Sequence, residues 1–410
     1  MRLHLPIALG SALVAVAACS PDQSTSVPAD SPATITVTSN GDGAGSLADA
    51  LARAGADQRI TEIALGPGVT SVGSRPLSFV GSQLLTINGG GATITGETLH
   101  ITGAPAGVVI RNLTVAGAPG NGIEIDVPSG ATGDYVVRLQ NVTVTDAVDH
   151  GVLVEDQIDN SAASIVLEVL QGTFTGNGNV AGASVSDRDG IRVNEGGMGD
   201  IRARIVGSKF TGNGADGVEL DEKGDGDVHV EVVGTSFDDN GPFDTEDYDD
   251  GIDVDEDGAG DIVARFTNTT ANGNFDQGID LNENDAGDMD VTLVNVSADG
   301  NGGEGIDLEE DDDVDGGGNL LATLTNVSAN GNGRLDGAPG AKIEEDGPGS
   351  LVATLTDITA SNNSEAGLSL EQQGRPGDAR GQVTITRLVA EGNPDGPYVT
   401  DGPVDVTLVP

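Results

Sequence analysis

The sequence predicts an all-β solenoid, and three observations carry that prediction. The segments G-I-D-V-D-E-D-G-A-G-D, G-I-D-L-N-E-N-D-A-G-D and G-I-D-L-E-E-D begin at Gly251, Gly278 and Gly305, each 27 residues after the last. A fixed period of that size marks a repeat protein whose units bury their apolar faces only against their neighbours. Between the anchors run stretches such as V-T-L-V-N-V-S-A and A-T-L-T-N-V-S-A, rich in β-branched residues and too short and glycine-punctuated for helices. Aligned units also place like residues in columns along the whole chain. The anchors fall at Gly122, Gly151, Gly190, Gly217, Gly251, Gly278, Gly305, Lys342 and Gly367.

The chain opens with an apolar run, Leu3 to Ala18, ending in V-A-A-C, which resembles the lipobox of bacterial lipoprotein signal peptides. Cys19 is the single cysteine, so no disulfide framework exists and its expected use is a lipidated N-terminus. Ser20 after the cysteine points to the outer membrane under the usual sorting rule for such proteins. The expected organisation is a signal peptide at 1–18, a Ser/Pro/Asp-rich lipidated tether at 19–32 and one solenoid domain at 33–410.

The solenoid begins with an alternating strand, T-I-T-V-T-S-N. Ser46 then opens a short helix with Leu47, Ala50, Leu51 and Ala54 on one face and Asp49 completing a capping-box-like start. A strand followed by G-S-L-A-D-A-L resembles the N-terminal cap of right-handed parallel β-helices on bacterial surfaces, which places the cap at 33–60.

Four columns define the repeats. Asn112, Asn141, Gln171, Gly207, Gly234, Asn268, Asn295, Asn326, Asp357 and Arg387 read as a sharp bend with left-handed backbone. Six residues on, Asn213, Asn240, Asn274, Asn301, Asn332, Asn363 and Asn393 read as a second turn. Three after the bend, Val115, Val144, Phe174, Phe210, Phe237 and then Ala271, Ala298, Ala329, Ala360 and Ala390 must point inward. Three before it, Arg138, Glu168, Arg204, Glu231 and Arg265 alternate in sign and give way to Thr292, Thr323, Thr354 and Thr384, a salt-bridge ladder continued by threonines. This order of short strand, loop, longer strand, asparagine bend and third strand resembles the pectin lyase-like right-handed parallel β-helix, here with about 11–12 coils. The resemblance implies the fold and leaves function open, since that architecture hosts lyases, hydrolases, epimerases, adhesins and spacers.

The charge balance, 66 Asp and Glu against 18 Lys and Arg for a net charge of -48, makes nucleic acid and anionic membrane surfaces poor partners. The acid concentrates on the anchor strand. Its second position reads Glu124, Leu153, Arg192, Glu219, Asp253, Asp280, Asp307, Glu344 and Ser369, and its fourth reads Glu155, Asn194, Asp221, Asp255, Asn282, Glu309, Asp346 and Glu371. Both are expected to face outward, where like charges ~4.8 Å apart repel and favour a bound cation.

Asp253, Asp255, Asp257, Gly258 and Asp261 form D-x-D-x-D-G-x-x-D, which resembles the start of an EF-hand-type calcium loop. Asp280, Asn282, Asn284 and Asp288 repeat it with Asp285 in the glycine place, and Glu219, Asp221, Lys223, Gly224 and Asp227 give a degraded copy. Ala264 stands where the bidentate glutamate would close such a loop. Oxygen donors without His or Cys make calcium the expected cofactor.

Asp250-Gly251-Ile252-Asp253 resembles part of the acid segment of polygalacturonase-like hydrolases, but no His follows His229 to supply the rest of that site. A lyase would need a basic residue beside the metal, and Arg188 and Arg192 form the one basic spot on that face, with an Arg192–Glu219 salt bridge as the structural alternative. Asp149-His150 is read as incidental. The expectation is therefore a monomeric, lipid-anchored surface β-helix whose acidic face binds calcium and meets a glycan or cell-surface polysaccharide. The alternatives are a calcium-dependent polysaccharide lyase using Arg188 and Arg192, and a passive spacer.

Overall fold

The computed structural model describes residues 31–71, 75–156, 161–179, 188–242, 249–311, 318–335, 337–373 and 380–410. Cys19, its signal peptide and most of the tether lie outside them. The chain is a right-handed parallel β-helix. Among the described residues one sheet has 12 strands and the other 18, so each of about a dozen coils adds one strand to the first, the anchor sheet. Neighbouring coils pair parallel and in register, as in Ile252↔Ile279↔Ile306.

The first strand is Ala33–Val37, and the helix that follows is Leu47–Ala56. Ser46 caps it by accepting from Asp49 N–H at 3.2 Å. Asp49 reaches back one residue further than in a standard capping box, accepting from Gly45 N–H at 3.0 Å. Leu47, Ala50, Leu51 and Ala54 are buried as their spacing requires.

All ten members of the predicted bend column have positive φ, from 51° at Asn141 to 60° at Gly234. The column three residues later is buried from Val115 to Ala360, while Ala390 is half-buried. Phe174, Phe210 and Phe237 stack with centroids 4.9 and 5.1 Å apart.

The second asparagine column lies in the bends between strands, as read, but its side chains are buried rather than solvated. Asn177, Asn213, Asn240, Asn274 and Asn301 have no solvent exposure, and Asn332 and Asn363 are 2% exposed. Asn274 donates through Nδ2 to Phe237 O at 3.0 Å and to Asn301 Oδ1 at 3.2 Å, while its own Oδ1 accepts from Asn240 N at 3.0 Å. An amide carries both donor and acceptor, so an identical residue one coil away is its complement. The column therefore both sits at the corner and bonds the coils through its interior.

The charged column lies in the predicted register, but as two separate pairs: Arg138 with Glu168, and Arg204 Nε with Glu231 at 2.8 Å. Arg265 turns instead to Asp290, 3.5 Å away. The 48% and 52% exposure of the Arg204 and Glu231 side chains limits that pair to about 0–1 kcal/mol. Removing a buried asparagine leaves several polar groups unpaired, at about 1–3 kcal/mol each. Asn274→Ala is therefore expected to lower the denaturation midpoint far more than Arg204→Ala. Equal losses, measured by circular dichroism in a denaturant series, would show that the ranking is wrong.

Candidate cation-binding face

Each anchor strand starts at a glycine because the stack leaves no room for a side chain: a Cβ on Gly251 would overlap the carbonyl of Gly278 in the next coil. Positions one and three, such as Ile252 and Val254, fill the core. Position two forms the register Arg192↔Glu219↔Asp253↔Asp280↔Asp307↔Lys342, and position four Asn194↔Asp221↔Asp255↔Asn282↔Glu309↔Glu344. One unit of the sequence reading shifts by two residues. Its anchor is Gly340, so Lys342 stands at position two and Glu344, with Asp346 beyond it, moves to positions four and six.

Cations thus close both ends of the acidic stretch. Arg192 bonds Glu219 and lies 3.7 Å from Asp189 and 3.4 Å from Asp221. Lys342 Nζ lies 2.6 Å from both Glu309 and Glu344 and 3.8 Å from Asp307. Burial works against the Lys342 charge, but these carboxylates hold its pKa above the usual lysine value.

Between the ends, the carboxylates are sunk rather than solvated. Glu219 is 8% and Asp307 6% exposed. The residue before the anchor glycine, which the sequence reading took up only at Asp250 as part of a hydrolase-like segment, adds the buried carboxylates Asp189, Asp216 and Asp250. Oxygens of Asp189, Asp216 and Glu219 lie within 4.8 Å of one another, as do those of Asp250, Asp253 and Asp280. Asp253 Oδ1, Asp280 Oδ1 and Asp307 Oδ1 are buried without a hydrogen-bond donor. Burial first, and neighbouring charge second, push Asp216, Asp250, Asp253 and Asp307 well above the usual carboxylate range. Asp280 rises to about 7, mainly through burial.

The ligand set expected along one loop is therefore replaced by sets across coils. Along an extended backbone Asp253 and Asp257 are ~13 Å apart, too far for Asp253, Asp255 and Asp257 together to wrap one ion. Asp255 Oδ1 accepts from Asn282 at 3.2 Å, and Asp257 Oδ1 from Asn284 at 2.9 Å while its Oδ2 meets Lys223 at 3.0 Å. Asp221 is also taken by Lys223, at 2.7 Å. Asp227 accepts from Asp261 N–H, Asp261 from Asp288 N–H and Asp288 from Asn319 N–H, at 3.1, 2.9 and 2.9 Å. These aspartates tie coils together. Ala264, at the place of the closing glutamate, is buried in the core.

Arg188, 9% exposed, donates to Val148 O at 3.1 Å and lies 3.4 Å from Asp149. Both arginines are held by acceptors, the arrangement of a structural clamp. His150 is likewise engaged: its Nδ1 accepts from Asp189 N–H at 3.1 Å, making it the coil-to-coil counterpart of Asp189 and Asp216 rather than a partner of Asp149.

Position five carries what the sequence reading missed. Glu195, Glu222, Glu256, Glu283, Glu310 and Glu345 stack one per coil with no solvent exposure, and Gln372 ends the column. Strand alternation puts five on the inward side with one and three. Gly197, Gly224 and Gly258 N–H each donate to one oxygen of the glutamate two residues back, at 2.9 Å. Glycine is required at these turns, since a Cβ on Gly258 would overlap Gly224 O. The second oxygens of Glu195, Glu222, Glu256 and Glu283 face no N–H. Carboxylates have no hydrogen to give, so neighbours bond only by sharing protons. Burial accordingly pushes Glu195, Glu222, Glu256, Glu283 and Glu345 up to about 8.

No protein-family profile matches the chain, and no curated protein does. Among solved structures it is similar to the catalytic domain of a GH87 alpha-1,3-glucanase in complex with nigerose (13% identity, 96% of this chain and 70% of that one, TM-score 0.42). A periplasmic alginate epimerase (14% identity, 82% and 78%, TM-score 0.40) and the A-module of the Azotobacter vinelandii mannuronan C-5 epimerase (14% identity, 78% and 91%, TM-score 0.34) are similar too. Likeness this remote says nothing about a shared reaction.

The glutamate column sets a pH dependence. A carboxyl near 4.5 in the unfolded chain and about 8 in the folded one binds its proton more tightly when folded. Its stabilisation is complete below about pH 4.5 and is lost as pH rises through about 8. The melting temperature in chelator is expected to fall between pH 5 and 9. Asp280 acts in the same direction, so Glu256→Gln isolates the column: it should flatten the profile and stabilise on the order of 1 kcal/mol at pH 9. A variant profile that parallels the wild type would remove the proton-sharing account.

Proposed function

We propose that the protein is an extracytoplasmic, lipid-anchored β-helix whose anchor-sheet face binds calcium and presents it to a glycan. One observation carries the calcium reading: Asp250, Asp253 and Asp280 converge across adjacent coils, with Asp253 Oδ1 and Asp280 Oδ1 buried and without a donor. Such oxygens need a proton or a cation, and an all-oxygen set suits calcium. Asp189, Asp216 and Glu219 offer a second set, with the Arg192 guanidinium already beside it. A calcium ion takes 6–8 oxygens, more than either triad supplies one apiece, so water or sugar hydroxyls complete the shell. That is the basis for a glycan partner on this face. The clamped state of Arg188 and Arg192 favours binding over a lyase reaction. The anchor rests on V-A-A-C and Cys19, and no helix among the described residues is long and apolar enough to cross a membrane.

Calcium binding only the native state stabilises by about 2.7 kcal/mol at a hundredfold excess over its dissociation constant. Calcium is therefore expected to raise the melting temperature beyond sodium at matched ionic strength, because screening acts everywhere and coordination at the triads. Asp253→Asn with Asp280→Asn should remove the part of that increment owed to the Asp250–Asp253–Asp280 set and leave the sodium effect. On a glycan array, retention should require calcium and yield no new unsaturated ends; indistinguishable melting in calcium and chelator would sink the reading. For the anchor, labelled lipid should attach to the wild type and not to Cys19→Ala.

A further inference from the structure

The anchor-sheet columns continue toward the N-terminus beyond Arg192, and their chemistry changes there. On the strands Leu99–Gly103 and Ile123–Asp126, position two pairs His100 with Glu124 and position four pairs Thr102 with Asp126. His100 Nε2 lies 2.7 Å from Asp126 Oδ2 and 3.7 Å from Glu124 Oε1. The three ligand atoms fall within 4.8 Å of one another.

We propose that His100, Glu124 and Asp126 form a binding site for a zinc-class divalent transition metal, separate from the calcium face. Ligand atoms on a tetrahedral zinc ion, at 2.0–2.2 Å from the metal, are about 3.3 Å apart. The two histidine separations bracket that value. Only Asp126 lies at hydrogen-bond distance from this imidazole nitrogen, while Glu124 approaches the same nitrogen from beyond it, and a cation would serve both. Imidazole with carboxylates suits zinc, cobalt or nickel, in contrast to the all-oxygen triads.

The surroundings orient these ligands. Asn121 Nδ2 donates to Glu124 Oε2 at 3.3 Å, leaving Oε1 turned toward the histidine. Thr102 Oγ1 lies 3.4 Å from Asp126 Oδ2 and 3.3 Å from His100 Nε2. Hydrogen bonds to ligand groups of this kind fix their direction toward a metal. Leu153 and then Arg192 occupy the next two places in position two, so an apolar residue and a cation divide this cluster from Glu219 and the acidic stretch. The side chains are 36%, 32% and 34% exposed, which leaves a fourth coordination place open to water or a ligand group.

The test uses the folded, full-length mature protein in saturating calcium, so that the acidic triads are filled, with Zn²⁺ and Co²⁺ as probes. Wild type is expected to bind one zinc equivalent that His100→Ala lacks. Co²⁺ should give the visible absorption of a four-coordinate, nitrogen-ligated site in the wild type only. Asp126→Asn, which keeps size and strand, should lose the same equivalent, and the calcium response of both variants should stay at wild-type level. Zinc stoichiometry and Co²⁺ absorption unchanged in both variants would overturn the proposal, as would a wild type that binds no zinc under calcium. Because none of these residues contributes to the calcium triads, failure here leaves the calcium reading standing, and the reverse holds.

Discussion

Everything in this molecule follows from vertical register. Coils stack in parallel ~4.8 Å apart, so the nearest neighbour of almost every side chain is its own counterpart in the next unit. A residue type survives in a column only if it tolerates itself. Asparagine does so by donating and accepting, phenylalanine by stacking, threonine and alanine by small size. These columns produce the interior and fix the pairing, since a one-residue slip would turn the apolar set outward.

Carboxylates fail that requirement unless something is added, and the structure shows two places where the addition is needed. On the inner side, Glu222, Glu256 and Glu283 have a backbone N–H for one oxygen and only each other for the second. Protons fit between them and no larger species is required. On the outer side, Asp250, Asp253 and Asp280 approach from different coils and from both flanks of the anchor glycine, a geometry with room for a cation. The ends of that outer stretch already carry covalent cations in Arg192 and Lys342, so the stack neutralises its termini with side chains, and the proposed ions would serve the triads between them.

The fold was legible because its signals are local and repeated. Ten bend residues read from sequence all adopt the left-handed conformation, since only Asn, Gly and a few polar residues tolerate it at low cost. The Lys342 unit was misaligned because Gly340-Ala341 replaces the Gly-Ile signature and the preceding spacing changes, while pairing respects alternation and not motif. The glutamates of position five were visible in the five successive units anchored from Gly190 to Gly305. They were passed over because burying an acid contradicts residue-type expectation, although the period-two pattern already placed them inside. The cross-coil acidic triads escaped the sequence reading for a related reason: a motif is read along the chain, whereas side chains in a solenoid meet across it. Asp189 and Asp216 entered no motif, and Asp250 entered only a hydrolase-like one; their convergence with the anchor-strand acids emerges only once coils are superposed.

The self-complementary asparagine column has an evolutionary consequence. Asn274 accepts from Asn240 through Oδ1 on one side and donates to Asn301 through Nδ2 on the other. A coil copied in frame therefore arrives with the correct partner for both neighbours, in this column and in every other column built of like residues. Lengthening by duplication leaves no interface to be reinvented, and shortening by deletion rejoins surfaces that already match. The Val144 to Phe174 and Phe237 to Ala271 changes are the exceptions, seams across which coils are not interchangeable. The solenoid is in this sense three runs of exchangeable parts, and its length is free to drift where its cross-section is not.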